Sequence, residues 1–161
     1  MSASSVRPDA EPVTLIARDV EATRAVGAIL GRAAEPGDVV CLFGELGAGK
    51  TQLAKGIAAG LGVTDTVSSP SFVLMAEYEG RLQLFHIDLY RLADAADALA
   101  GGLVDDRQAA GVTVIEWAER LGERLPASRL DVRIDGTGDD PRRLELRPTD
   151  ARHERLAAMA R

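Results

Sequence analysis

Apolar positions along the chain fall into short unbroken runs, and the stretches between them carry either helical spacing or turn residues. Val13–Ala17 is the first such run and is predicted to be a strand. Asp19 follows in an N-cap position, where a short carboxylate accepts a hydrogen bond from the first helical turn. A helix is therefore predicted over Val20–Ala33, with Ala25, Ile29 and Leu30 on its apolar face. PGDVVCLFG reads as a turn into a second strand, Val39–Phe43, whose uninterrupted apolar character fits a parallel strand covered on both faces. GELGAGKT comes next and leads into a helix to about Leu61, stopped by Gly62. VSSPSF is predicted to be a loop, because Pro70 and its serines oppose both helix and sheet.

Two strands are expected at 73–78 and 82–87, joined by the turn residues EGR. A weakly helical stretch runs through Leu99 and breaks at Gly101 and Gly102. Further strands are expected at 112–115, 130–134 and 144–146, the last two around a Gly/Asp turn, with a final helix from about Asp150. Residues 1–11, rich in Ser, Pro, Ala and acids, are expected to be disordered, leaving 12–161 as one domain. This alternation predicts a three-layer α/β fold with a mostly parallel central sheet, a β-hairpin insertion and antiparallel C-terminal strands.

Composition narrows the function classes. A chain of 161 residues is long enough to bury a core without disulfides or metals. Its single cysteine, Cys41, lies inside the second apolar run and reads as a small core residue; it excludes an intrachain disulfide and a Cys-rich zinc site. The start lacks the plan of a signal peptide and no apolar run approaches the length of a membrane span, so a soluble cytoplasmic protein is expected. The absence of Asn removes an N-K-x-D guanine-recognition motif. Net charge is −6 and uneven: −9 over residues 1–140 and +3 over residues 141–161. An acidic body is a poor nucleic-acid binder, and the basic end is expected to be a solvated terminal helix.

The strongest chemical signal is residues 44–51, which satisfy G-x-x-x-x-G-K-[ST] between a predicted buried strand and a predicted helix. Gly44, Gly47 and Gly49 free the backbone to turn consecutive N–H groups toward phosphate oxygens, and the following helix adds the positive end of its dipole. Lys50 is placed to reach the β and γ phosphates, and the Thr51 hydroxyl is a hard oxygen ligand for Mg²⁺. Lys50 is one of two lysines beside 17 arginines, which fits a position that needs a compact point charge. Glu45, Leu46, Gly47, Ala48, Gly49, Lys50, Thr51 and Gln52 are thus candidate nucleotide contacts.

Such a loop needs acids from other strand ends. Asp88 ends LQLFHID and Glu116 ends GVTVIEW, both toward the carboxyl edge where ligands of open α/β sheets sit. Asp88 is assigned to Mg²⁺ through water. Glu116 either orients or deprotonates the attacking water or shares the metal. With Lys50, these two acids form the candidate catalytic set. Ser68, Ser69 and Ser71 offer hydroxyls that could reach Mg²⁺ or the γ phosphate, against the plainer reading of a Ser/Pro turn. Arg91, close after Tyr90, could neutralise phosphate or pair with an acid. His86 is read as a structural residue, and Trp117 as either a wall of the site or packing. The six aromatic residues all lie between Phe43 and Trp117, so the few rings concentrate around the proposed motifs and the single Trp is expected to report nucleotide binding. Base-contacting residues are not evident; segment 19–23 and the turn at 136–138 are candidates.

The order GELGAGKT, SSPSF, HIDLYRL and IEW on about 160 residues resembles the TsaE (also YjeE) family, small bacterial P-loop ATPases of tRNA threonylcarbamoyladenosine formation. The likeness runs from about Asp19 to the C-terminal strands. It implies the three-layer P-loop NTPase fold, ATP rather than GTP in the loop, and Thr51 and Glu116 near Mg²⁺ with Asp88 as the second acid. It also implies hydrolysis that drives a cycle of a TsaD–TsaB assembly acting on adenosine 37, with tRNA met only through that assembly. Ser71 stands where the family loop usually carries Thr, and Ser68 where some relatives carry Lys. The alternatives are a small-molecule kinase, whose lid would draw on Arg91 and Arg107, and a nucleotide switch without catalysis.

Overall fold

A computed structural model describes residues 12–68, 75–90 and 106–161. The expected disorder of 1–11, Ser69, Ser71, Arg91 and the helical stretch through Leu99 lie outside the described residues.

Seven strands form one sheet in the order β1-β7-β6-β2-β5-β4-β3. They are β1 (Val13–Ala17), β2 (Val39–Phe43), β3 (Met75–Tyr78), β4 (Leu84–Asp88), β5 (Val112–Glu116), β6 (Leu130–Asp135) and β7 (Arg142–Pro148). The central four, β6, β2, β5 and β4, run parallel. β3 pairs antiparallel to β4, and β7 antiparallel to both β6 and β1. The hairpin therefore supplies an edge strand of the main sheet. The parallel register pairs Leu42 with Glu116 and Asp88 with Glu116, so β2, β4 and β5 end together. That alignment gathers the glycine-rich loop and both strand-end acids at one edge.

Helices α1 (Val20–Ala33), α2 (Lys50–Gly60) and α3 (Ala151–Met159) share one face of the sheet. Leu30, Leu53, Ile57 and Leu156 bury there against Val40, Leu42, Val114, Val132 and Leu146. On the other face, Cys41, Ile87 and Ile115 are covered by Ala118 and Leu121 of the 3-10 segment Ala118–Arg124. The Cys41 thiol is fully buried, and burial, with a contribution from Asp131, pushes its pKa up to about 12, which matches a core role.

The boundaries of α1 match its sequence signals, and Asp19 caps it by accepting from the Ala22 N–H. Its buried face does not match. Ala25 is exposed and Ile29 half-buried, while Thr23, Gly27, Leu30 and Gly31 are buried. The cause is the crossing with α2, where Gly27 and Gly31 meet Gly56 and Gly60 backbone to backbone. A Cβ at Gly27 would stand 2.5 Å from the Leu53 carbonyl oxygen, and one at Gly31 would stand 2.9 Å from the Gly60 Cα. Because backbone atoms cannot step aside, Gly31→Val is expected to destabilise the fold by about 3 kcal/mol, at or above the top of the usual range for overpacking. A urea midpoint unchanged from wild type would show that the helices separate freely.

The charge asymmetry also resolves. Asp150 caps α3, and Arg152 and Arg155 reach the buried Asp38 at 3.7 and 3.2 Å. Arg155 also donates to the Ala33 carbonyl, and Arg143 and Arg147 pair with Glu145. The arginines of the basic end therefore meet the protein's own acids and carbonyls while staying partly exposed, and the expected terminal helix is solvated on one face and packed on the other.

Candidate functional site

β2 ends beneath the glycine-rich loop, and two glycines there are needed for different reasons. A Cβ at Gly44 would stand 2.5 Å from the Ile134 carbonyl oxygen, so the loop could not leave the strand at this angle. Gly49 precedes α2 at φ 114°, a region unfavourable for side chains, and gives the helix no side-chain cap. The first-turn N–H groups of α2 are thus left for a ligand, the arrangement that attracts anions.

Lys50 folds back under the loop. Its Nζ donates to the carbonyls of Gly44 at 2.5 Å and Glu45 at 2.9 Å and sits 4.1 Å from the centre of the Trp117 ring. The side chain is buried, and burial holds its pKa below the usual lysine value, against the opposing pull of Glu116, Glu119 and Asp88. None of the described carboxylates forms an ion pair with it. Among the described residues its close partners are carbonyls and a ring face, and the three carboxylates act on it from beyond ion-pair distance, which leaves its charge open to direct pairing with an anion.

Glu116 is 2% exposed and takes hydrogen bonds from two elements. The Thr51 hydroxyl, in the first turn of α2, donates to its two oxygens at 2.9 and 3.2 Å. His86 Nε2, from β4, lies 2.6 Å from Oε2. Asp88 stands beside Glu116 in the sheet register, and its Oδ1 accepts the Tyr90 N–H at 2.9 Å, so it also ties the turn that leaves β4. Trp117 follows with φ 57° and ψ 41°, the one non-glycine at positive φ among the described residues. That conformation costs on the order of 1–3 kcal/mol. It turns the ring onto Lys50 and to 4.9 Å from the Tyr90 ring.

The structure therefore brings together Lys50, Thr51, Asp88, Glu116 and Trp117, and sets His86, read from the sequence as a structural residue, against Glu116. Two cavities flank the loop. One of about 670 Å³ is lined by Glu45, Leu46, Trp117 and Arg133. The other, about 360 Å³, is lined by Asp19, Val20, Thr23, Gln52 and Gly138, so segment 19–23 and part of the 136–138 turn share a wall. Gly136 faces the larger cavity instead. Ser68 is exposed at the end of a described segment. Arg107 pairs with Glu77 at 3.1 Å and lies over Phe85, at the opposite end of the strands from Glu116.

One site residue escaped the sequence. Arg142 Nε donates to the Ala48 carbonyl at 2.9 Å, and its Nη2 to the Gly138 carbonyl at 3.0 Å. Holding a loop carbonyl on the outside favours amides turned inward. No local pattern marks this arginine, because its partner lies 94 positions away in the chain.

These features define a small mixed α/β protein with a glycine-rich loop of phosphate-binding pattern at the carboxyl edge of a parallel-centred sheet. Residues 17–144 match the family described as threonylcarbamoyl adenosine biosynthesis protein TsaE. The chain is 42% identical over 137 residues to the tRNA threonylcarbamoyladenosine biosynthesis protein TsaE of Bacillus subtilis, covering 84% of this chain and 85% of the relative. It is 40% identical to the protein of the same description from Treponema pallidum, covering 81% and 97%. The crystal structure of Bacillus subtilis YdiB superposes with a TM-score of 0.77 at 34% identity, over 93% of this chain and 94% of that one. The chain belongs to the TsaE family, whose proteins take part in forming threonylcarbamoyladenosine in tRNA.

Proposed function

We propose that this chain is a Mg²⁺-dependent ATPase of the three-layer P-loop fold, and that its ATP hydrolysis drives a cycle of a TsaD–TsaB assembly modifying adenosine 37 of tRNA. The observation that carries the reading is the buried Lys50, with no ion-pair partner among the described residues, at a helix N-terminus without a side-chain cap. ATP phosphates fit that deficit: loop amides and the α2 dipole bind the triphosphate, and Lys50 adds the point charge.

Thr51 donates its only hydroxyl hydrogen to Glu116, which leaves an oxygen lone pair free to face a cation. With Asp88 alongside, the donors are hard oxygens suited to Mg²⁺. Among the described residues no group of three or more His, Cys, Asp or Glu forms a metal cage. Thr51, Asp88 and Glu116 would hold the ion, which would supply charge neutralisation when bound. Glu116 orients the attacking water or takes its proton, and Trp117 screens Lys50 from solvent. Ser71 is proposed as a further nucleotide contact. The acidic body supports a protein that meets a protein partner first and tRNA only through it.

The kinase alternative is weakened by Arg107, whose pairing with Glu77 leaves it away from the loop. ATP turnover is expected to be low for the chain alone and to rise when a TsaD–TsaB pair is added. Brisk phosphoryl transfer to a metabolite, indifferent to that pair, would overturn the reading.

A further inference from the structure

Two histidines are fully buried among the described residues, and they are used differently. His153 has both ring nitrogens engaged: Nδ1 lies 2.7 Å from Asp150 Oδ1, and Nε2 accepts the Val39 N–H at 3.1 Å. That is how a histidine serves a core, with no polar atom left over. His86 has one nitrogen on Glu116, while its buried Nδ1 has no hydrogen-bond partner among the described residues. Asp38 Oδ1 and Thr113 Oγ1 are likewise buried without a hydrogen-bond partner among the described residues, so it is the short bond to Glu116 that sets His86 apart.

The bond also has a defined direction. With Glu116 ionised its oxygens only accept, so the 2.6 Å contact is a hydrogen bond donated by His86 Nε2–H to Glu116 Oε2. Thr51 approaches the same carboxylate from α2, on the other side of the site. Glu116 is thus clamped between one donor on the sheet and one on the helix that opens the phosphate loop. Thr51 can hold its distance only as well as that helix is held, whereas His86 is rooted in the neighbouring strand, paired in register with Val114.

We infer that His86 is a positioning residue for the ATPase reaction: its Nε2–H fixes the Glu116 carboxylate in the orientation that acts on the attacking water. The inference rests on the ATPase reading above. It concerns hydrolysis and leaves nucleotide binding to the loop and Lys50.

The test compares three variants in the full chain. His86→Leu removes the donor, His86→Asn places one too near the backbone to reach Glu116, and His86→Gln restores a donor near the Nε2 position. His86→Leu and His86→Asn are expected to lose about 10- to 100-fold in kcat. Their Mg-ATP dissociation constant, read from Trp117 fluorescence, is expected to stay within about threefold of wild type, and His86→Gln to recover most of the loss. A folded His86→Leu that turns over like wild type, or a folded His86→Gln as slow as His86→Leu, overturns the inference. Should the variants fail to fold, ¹⁵N NMR of the imidazole in the wild-type, nucleotide-free chain decides: a protonated Nε2 supports the inference, and a bare Nε2 overturns it. Wild-type chain that does not hydrolyse ATP even with a TsaD–TsaB pair refutes the ATPase reading instead, and the NMR result still judges the His86–Glu116 bond.

Discussion

Glu116→Ala is expected to bind Mg-ATP and to hydrolyse it about 10²-fold or more slowly, the scale of a lost acid–base or water-positioning group. The carboxylate ends β5, the strand that pairs with β2 beside the loop, and it touches both Thr51 and His86. Its removal leaves the loop amides, the α2 N-terminus and Lys50 where they are, so affinity should survive. Two donors lose their acceptor, and the fold should give up about 1–3 kcal/mol for the buried group left unsatisfied. Glu116→Gln separates these effects, since it preserves volume and removes the charge. Single-turnover hydrolysis alongside a fluorescence binding curve reads both quantities. Normal turnover by Glu116→Ala would remove Glu116 from the mechanism.

Lys50→Met should do the reverse and weaken binding first. Hydrogen bonds to a charged group contribute about 1.5–3 kcal/mol, so the dissociation constant should rise by roughly 10- to 150-fold. The unliganded fold should tolerate the change, because burial already disfavours the lysine charge. The sign follows from the depressed pKa. The folded state carries a penalty while Lys50 is protonated, below its lowered folded value, and loses that penalty as pH rises past the unfolded lysine value near 10.5. A phosphate arriving at the site should restore the charge and draw the pKa upward again. Trp117 provides the readout, since its ring lies 4.1 Å from Nζ. Its emission should change on saturation of wild type with Mg-ATP, and the variant should need far more nucleotide for the same change. An unchanged wild-type spectrum would separate Trp117 from the site.

Local signals carried far in this chain where the physics is local. Asp19 marked the start of α1 because an N-cap bond spans three residues. The loop from Gly44 to Thr51 was legible for the same reason: its glycines and lysine act within one short segment, Lys50 Nζ bonding the Gly44 carbonyl. The α1 face was misjudged because hydropathy reads side chains, and the contact is made where Gly27 and Gly31 have none. The partner of His86 was not legible because it is set by which strands are neighbours, and β4 and β5 lie side by side only once the sheet has assembled.

The sequence by itself determined the order of strands and helices, the position of the phosphate-binding pattern and the acids that end strands near it. Each of these follows from contacts within a few residues or from the period of apolar positions. Only the tertiary structure decided that Thr51 and His86 share Glu116, that Trp117 leaves its strand in a left-handed conformation to cover Lys50, and that Arg142 holds the loop from outside. It also decided that the basic end folds back onto the acidic body. These are bonds between residues 30 to 94 or more positions apart, closed by strand register and helix packing, and no local pattern encodes their distances.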